Sequence, residues 1–156
     1  MTYLIIRLAT LGNVAMTVPV IASLSSRYPD DRFIIASKKK LGAMFASMPN
    51  VEFREVDNHI TWHGIVQLWR EWKDEIDLVI DLQDSPKTRL FDGLMRMSGR
   101  KVTRIQYGRF SKWTVCFLGA KRELKSEFQR YEETFLEAGL QTDNQFTALP
   151  INTTAA

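Results

Sequence analysis

The sequence predicts an α/β domain with a parallel sheet of about five strands and helices on both faces. Three observations lead there. Short apolar runs alternate with stretches of helical period along the chain. Two of those runs, Tyr3 to Leu8 and Leu78 to Leu82, are almost uninterrupted, which suits strands buried on both sides. The composition, 45% hydrophobic and 25% charged over 156 residues, is that of one globular domain with a sizeable core. With 8 Gly, 5 Pro and a single cysteine, Cys116, the chain is neither collagen-like nor a disulfide scaffold.

The first strand is Tyr3 to Leu8, with Arg7 its only charge. Ala9 to Asn13 reads as a loop. A helix follows to about Tyr28, with Val14, Val18, Ile21 and Leu24 at helical spacing, and Pro19 breaks or kinks it near its start. Phe33 to Ser37 is a second strand. Lys38, Lys39 and Lys40 lead into a short helix around Leu41 to Ser47. Val51 to Val56 largely alternates with period two, as a half-exposed strand near an edge does.

Between Thr61 and Glu75 the residues Trp62, Ile65, Val66, Leu68, Trp69 and Trp72 form one helical stripe, which reads as core packing. Leu78 to Leu82 is a buried strand, residues 87–98 a helix, and Val102 to Tyr107 a further strand. The last helix runs from Arg122 to Ala138. Leu124, Phe128, Tyr131, Phe135 and Leu136 share a face, and Gly139 is its stop. Residues 1–140 thus form the domain, and 141–156 have the composition of a linker or tail.

Ligands of such sheets bind at the carboxyl ends of the strands. The loops to examine are therefore 9–13, 37–40, 57–61, 83–87 and 107–112. The first contains only Gly12 where a dinucleotide fingerprint needs three glycines, and no P-loop pattern occurs. Nicotinamide-dinucleotide binding and P-loop hydrolysis are both disfavoured. Asn13 has two readings: a helix N-cap, or a side chain facing a ligand beside the positive end of the helix.

The stretch from Leu4 to Val20, with Arg7-Leu8, Leu11-Gly12-Asn13 and Thr17-Val18-Pro19, resembles the N-terminal signature of glycosyltransferase family 9, the heptosyltransferase type. Arg27-Tyr28-Pro29 resembles the end of that family's first helix. Asp81-Leu82-Gln83 followed by Lys87, and Ser98 to Ile105, resemble further segments of it. The resemblance spans about residues 3–140. It implies the N-terminal, acceptor-binding half of a GT-B enzyme built from two Rossmann-like domains. The C-terminal domain, which would bind a nucleotide-activated sugar such as ADP-heptose, is then absent from this chain, and 141–156 would lead toward it.

The reaction so implied is inverting transfer. An acceptor hydroxyl attacks the anomeric carbon, a nucleoside diphosphate leaves from the opposite face, and a carboxylate takes the hydroxyl proton. A base of this kind contributes roughly 10²–10⁴-fold. The resemblance puts Asn13 at the place of the family's aspartate base, and an amide cannot accept that proton. Three explanations stay open: an engineered substitution, a natural change in a member that only binds, or transfer of the role to another carboxylate such as Asp84. The isolated chain is expected to be inactive, and no metal or other cofactor is expected.

Thr10 and Gly12 in the first loop, Lys38 after strand two, Gln83 and Lys87 after strand four, and Arg109 and Lys112 after strand five are the candidate acceptor-binding residues. Arg89, and Lys121, Arg122 and Lys125 further on, add to the basic character. Arginine can bind paired anionic oxygens bidentately and lysine supplies a compact charge, so a phosphate- or carboxylate-bearing glycan or glycolipid suits them. His59 and His63 lie four apart but lack a third ligand at metal spacing. Cys116, among Val115, Phe117 and Leu118, reads as a buried inert thiol.

The apolar stretch Phe110 to Ala120, flanked by Arg109, Lys112, Lys121 and Arg122, suits packing on the sheet or on a second domain, with peripheral membrane contact as the other reading. No signal peptide or membrane span is read from the sequence, and the expected location is the cytoplasm, at the inner face of the membrane. The net charge of +3 and pI near 9.1 invite a nucleic-acid reading, but no nucleic-acid motif supports it. The competing class is a non-catalytic α/β module for an anionic glycan or a protein partner.

Overall fold

The computed structural model describes residues 1–57, 59–106 and 127–142. Its five strands are β1 (Thr2–Ile6), β2 (Arg32–Ser37), β3 (Val51–Glu55), β4 (Leu78–Asp81) and β5 (Lys101–Arg104). They form one sheet in the order β3-β2-β1-β4-β5, and all four pairings are parallel. The order reverses between β1 and β4, the position at which folds of this class commonly hold ligands.

The helices are α1 (Leu11–Ala15), α2 (Val18–Arg27), α3 (Trp62–Trp72), α4 (Pro86–Met97) and α5 (Glu127–Glu137), with a 3₁₀ helix over Lys39–Phe45. Strand parity sorts them into two layers. Tyr3, Ile5, Phe33, Ile35, Leu78 and Ile80 point to one face, where Val14, Ile21, Leu24, Phe45, Tyr131 and Phe135 cover them. Leu4, Ile6, Ile34, Ala36 and Val79 point to the other, against Ile65 and Trp72 of α3 and Phe91 and Met95 of α4. This is why β1, β2 and β4 read as continuous apolar runs. β3, at the edge, is only half-buried, as its alternation predicts.

Several boundaries differ from the expectation. The single helix over 14–28 is two helices, because the chain turns at Met16 and Thr17 and Pro19 takes the second position of α2, where a missing N–H costs nothing. The segment after Lys38 is a 3₁₀ helix that begins at Lys39. Trp62 does not pack in the core: it is 54% exposed, whereas Trp72 meets Phe91 edge-to-face with ring centroids 6.1 Å apart. Leu136 is likewise 61% exposed. Helical period fixes the direction of a side chain, not whether a neighbour covers it.

Gly139 does end α5, at φ +85°, with the Leu140 N–H bonded to the Phe135 carbonyl. The expectations for Tyr107, the Phe110 to Ala120 stretch with Cys116, Arg109, Lys112, Lys121, Arg122, Leu124 and Lys125, and most of the tail lie outside the described residues.

Candidate functional site

The carboxyl edge of the sheet is tied together by one buried arginine. Arg7, just past β1, donates from Nη1 to the Leu82 carbonyl at 2.6 Å, beyond the end of β4. Its own carbonyl accepts from Ser37 Oγ at 2.6 Å, at the end of β2. Its guanidinium lies 5.5 Å from the Tyr131 ring centroid and 3.7 Å from Glu127 of α5. The next residue, Leu8, donates its N–H to Gln83 Oε1 at 3.1 Å. Three central strands and α5 are thereby fixed at the rim where a ligand would enter.

Beside this clasp lies an open cleft of about 650 Å³. Thr10 and Leu11 line it from the end of β1, Lys38 and Lys40 from β2, and Glu55 and Asp57 from β3. Lys39 Nζ is 3.9 Å from Glu55, both largely exposed. Asp57 accepts the His59 N–H at 2.9 Å. Lys38 and Lys40 make no ion pair among the described residues. With Lys39, three lysines line the cleft against two carboxylates, Glu55 and Asp57, and the remaining positive charge favours an anionic occupant.

Of the residues named from sequence, Thr10 and Lys38 come together in this cleft. Gly12 and Asn13 do not line it. Asn13 is not the N-cap and is not in a loop: α1 starts two residues earlier, with Thr10 extended at the cap position and the Val14 N–H bonded to its carbonyl at 3.1 Å. Asn13 is therefore the third residue of α1, half-buried. Gly12 is exposed, and a Cβ there would meet nothing within 4 Å, so no close approach requires glycine. Gln83 is committed to Leu8. Lys87 stands at the second position of α4, half-buried, away from the cleft lining.

Arg89 and Asp84 are not available as ligand groups. Arg89 Nε and Nη2 hold the two Asp84 oxygens at 2.8 and 3.1 Å, and this bond raises the Arg89 pKa. Asp84 is buried and occupied, which weighs against its serving as the replacement base. Its φ of +49° is a left-handed conformation that aspartate tolerates better than most residues.

Beneath that turn lies a group of charges that sequence reading did not assemble. Asp81, the last residue of β4, accepts the N–H groups of Gln83 and Asp84 on Oδ1 at 2.8 and 3.1 Å. Asp92 of α4 accepts Arg104 Nε and Nη2 on Oδ2 at 2.9 and 2.7 Å. Both carboxyls are fully buried. Burial first, and then the Asp81 charge, push the Asp92 carboxyl up to about 7 against the opposing pull of Arg104. A charged residue inside an apolar strand, such as Arg7 or Asp81, is the signal that could have found these groups. Which partners meet them depends on tertiary contacts.

No model of a known protein family matches the sequence. A curated relative, the lipopolysaccharide core heptosyltransferase OpsX of Haemophilus influenzae, is 27% identical over 81 residues, which is 51% of this chain and 23% of that protein. Among solved structures, the glycosyltransferase family 9 protein of Veillonella parvula superposes with a TM-score of 0.64 at 18% identity, covering 95% of this chain and 43% of that one. E. coli heptosyltransferase WaaC, solved with ADP-2-deoxy-2-fluoro heptose, gives 0.61 at 16%, covering 93% and 50%. E. coli ADP-heptose lipopolysaccharide heptosyltransferase II gives 0.53 at 20%, covering 67% and 30%. The chain has a family 9, heptosyltransferase-like α/β fold, and it spans half or less of the length of these proteins.

Proposed function

We propose that this chain is the acceptor-binding domain of an inverting glycosyltransferase that moves a heptose-like sugar from a nucleotide-sugar donor to a lipopolysaccharide-core-like glycan. The observation that carries this reading is the lysine-lined cleft at the carboxyl ends of β1, β2 and β3, in a fold of the heptosyltransferase type. Lys38 and Lys40 supply charge for phosphate or carboxylate groups, and Thr10 supplies a hydroxyl at the same mouth. The donor would be held mainly by a further domain, and no metal is assigned to this half. Arg109 and Lys112 belong to the same proposal by their place in the sequence alone. Among the described residues no helix is long and apolar enough to cross a membrane. The same proposal places a membrane-linked acceptor at the inner, cytoplasmic face.

Asn13 favours a second reading, a glycan-binding module without turnover. An amide at the third position of α1 keeps hydrogen-bonding capacity but has no basic lone pair for the acceptor proton. Both readings need the same anionic glycan in the same cleft.

The test is calorimetric titration of the chain with a phosphorylated core oligosaccharide. Lys38→Ala is expected to weaken binding about tenfold, the equivalent of one charge-assisted hydrogen bond, with the loss shrinking at high salt. Lys87→Ala, outside the cleft lining, is expected to weaken it less. Unchanged affinity in Lys38→Ala would remove the cleft from the proposal.

A further inference from the structure

The carboxyl groups of Asp81 and Asp92 present an accounting problem. Each has one oxygen fully engaged: Asp81 Oδ1 by two backbone N–H groups, Asp92 Oδ2 by two nitrogens of Arg104. Each has its other oxygen buried with no hydrogen-bond partner, Oδ2 of Asp81 and Oδ1 of Asp92. Orphaned buried oxygens are rare in folded proteins and costly. The two carboxyls meet at one guanidinium: Arg104 Nε is 2.9 Å from Asp92 Oδ2 and 3.8 Å from Asp81 Oδ2. A single proton placed between the two orphaned oxygens satisfies both at once.

The charges agree. The groups around the pair are Asp84 and Arg89 on the β4–α4 turn and α4, and Arg104 on β5. Arg104 Nε is 3.8 Å from both Asp81 Oδ2 and Asp84 Oδ1. Three carboxylates against two guanidiniums leave one negative charge, which one proton cancels. α3, the other element packed on α4, brings no further charge onto Asp92 among the described residues.

We infer that Asp81 and Asp92 share one proton, and that this buried acid pair is a positioning device for the β4–α4 turn that carries Gln83. The transmission is short. Asp81 Oδ1 holds the N–H groups of Gln83 and Asp84, and Gln83 Oε1 in turn holds the N–H of Leu8 next to the cleft. Loss of the proton sets two like charges against each other in a buried space, and the Gln83 and Asp84 N–H groups held by Asp81 are the contacts that feel it. The inference concerns this chain's own protonation and goes beyond the acceptor reading without depending on it.

The direction of the pH effect follows. The Asp92 carboxyl is raised from an ordinary 3.8 to about 7 in the folded chain, so the folded state holds a proton that the unfolded chain releases. The stabilisation is complete below about 3.8, declines as pH rises, and is gone once pH passes about 7.

The test is carbon-detected NMR titration of the aspartate carboxyls, with the amide signals of Leu8, Gln83 and Asp84 followed in parallel. One carboxyl of the pair is expected to titrate near neutrality, and the three amides to shift with the same midpoint. Asp92→Asn mimics the protonated acid, since its amide can donate to Asp81 and its carbonyl can accept from Arg104. In that variant the near-neutral titration should vanish, and the unfolding midpoint should lose its decline between about pH 4 and 7. No aspartate titrating above the ordinary carboxylate range would overturn the shared proton. A titrating pair with unmoved amides would overturn the positioning role. Should Asp92→Asn fold poorly, the wild-type titration alone decides both points. Glycan affinity is a separate measurement, so failure here leaves the acceptor reading standing.

Discussion

Replacing Arg7 by Met tests the clasp at the sheet's carboxyl edge. Met keeps most of the apolar stem, so packing changes little. What is lost is the bond from Nη1 to the Leu82 carbonyl, a charged donor in a buried setting, worth about 1.5–3 kcal/mol. The contact with the Tyr131 ring at 5.5 Å adds about 0.5–1 kcal/mol. Glu127 is 36% exposed and 3.7 Å away, so water replaces its partner and its share is under about 1 kcal/mol. The expected loss is about 3 kcal/mol, a fall in Tm of roughly 6–12 °C for a domain of this size. Urea unfolding followed by far-UV circular dichroism measures it. Arg7→Lys, which keeps the charge without the planar fork, should recover less than half. If Arg7→Met unfolds within about 0.5 kcal/mol of the parent, the edge is not held by this residue and the reasoning fails.

Ser85→Ala removes a reciprocal cap. Ser85 Oγ accepts the Thr88 N–H at 3.2 Å while Thr88 Oγ1 accepts the Ser85 N–H at 2.9 Å, so about 1 kcal/mol should go, read as an earlier urea midpoint. Two glycine substitutions should move stability in opposite directions. A Cβ at Gly42 would stand 2.9 Å from Phe53 Cδ1, and Phe53 is itself stacked on Phe45, so Gly42→Ala should cost about 1–3 kcal/mol. Gly93, exposed inside α4 with nothing near, should gain about 0.5–1 kcal/mol as Ala by thermal unfolding.

The sheet was legible in the sequence because burial on both faces leaves a mark in every residue. Ile34 and Ile35 point to opposite layers and both are apolar, and β3 alternates because it is an edge. Gly139 was legible because αL termination has a residue signature. The site was only partly so. Lys38 and Thr10 follow successive neighbouring strands, and topology alone brings them together. Asn13 is not the cap its residue type suggests, because one residue's cap preference is weaker than the sum of contacts that start α1 at Leu11. Trp62 lies outside the core its spacing suggests, because amphipathic period does not report how far the covering layer extends. The Asp81, Asp92 and Arg104 cluster joins β4, α4 and β5, and no spacing rule links them.

Strand order also explains why a basic cleft and a group of buried acids can share one edge without cancelling. The switch between β1 and β4 divides the edge. On the β2 and β3 side Lys38 and Lys40 stand at an open mouth, where their field reaches an incoming anion over about a Debye length, ~8 Å in physiological salt. On the β4 and β5 side Asp81, Asp84 and Asp92 are closed in by Arg89 and Arg104, and the shared proton removes the remaining charge. An ionised pair would instead place a net negative charge along the same edge, under the turn that carries Gln83 to Leu8. The positive potential of the cleft therefore depends on the protonation of the pair as well as on its own lysines. By that argument affinity for an anionic glycan, read by the same calorimetric titration at a series of pH values, should fall as pH rises through about 7.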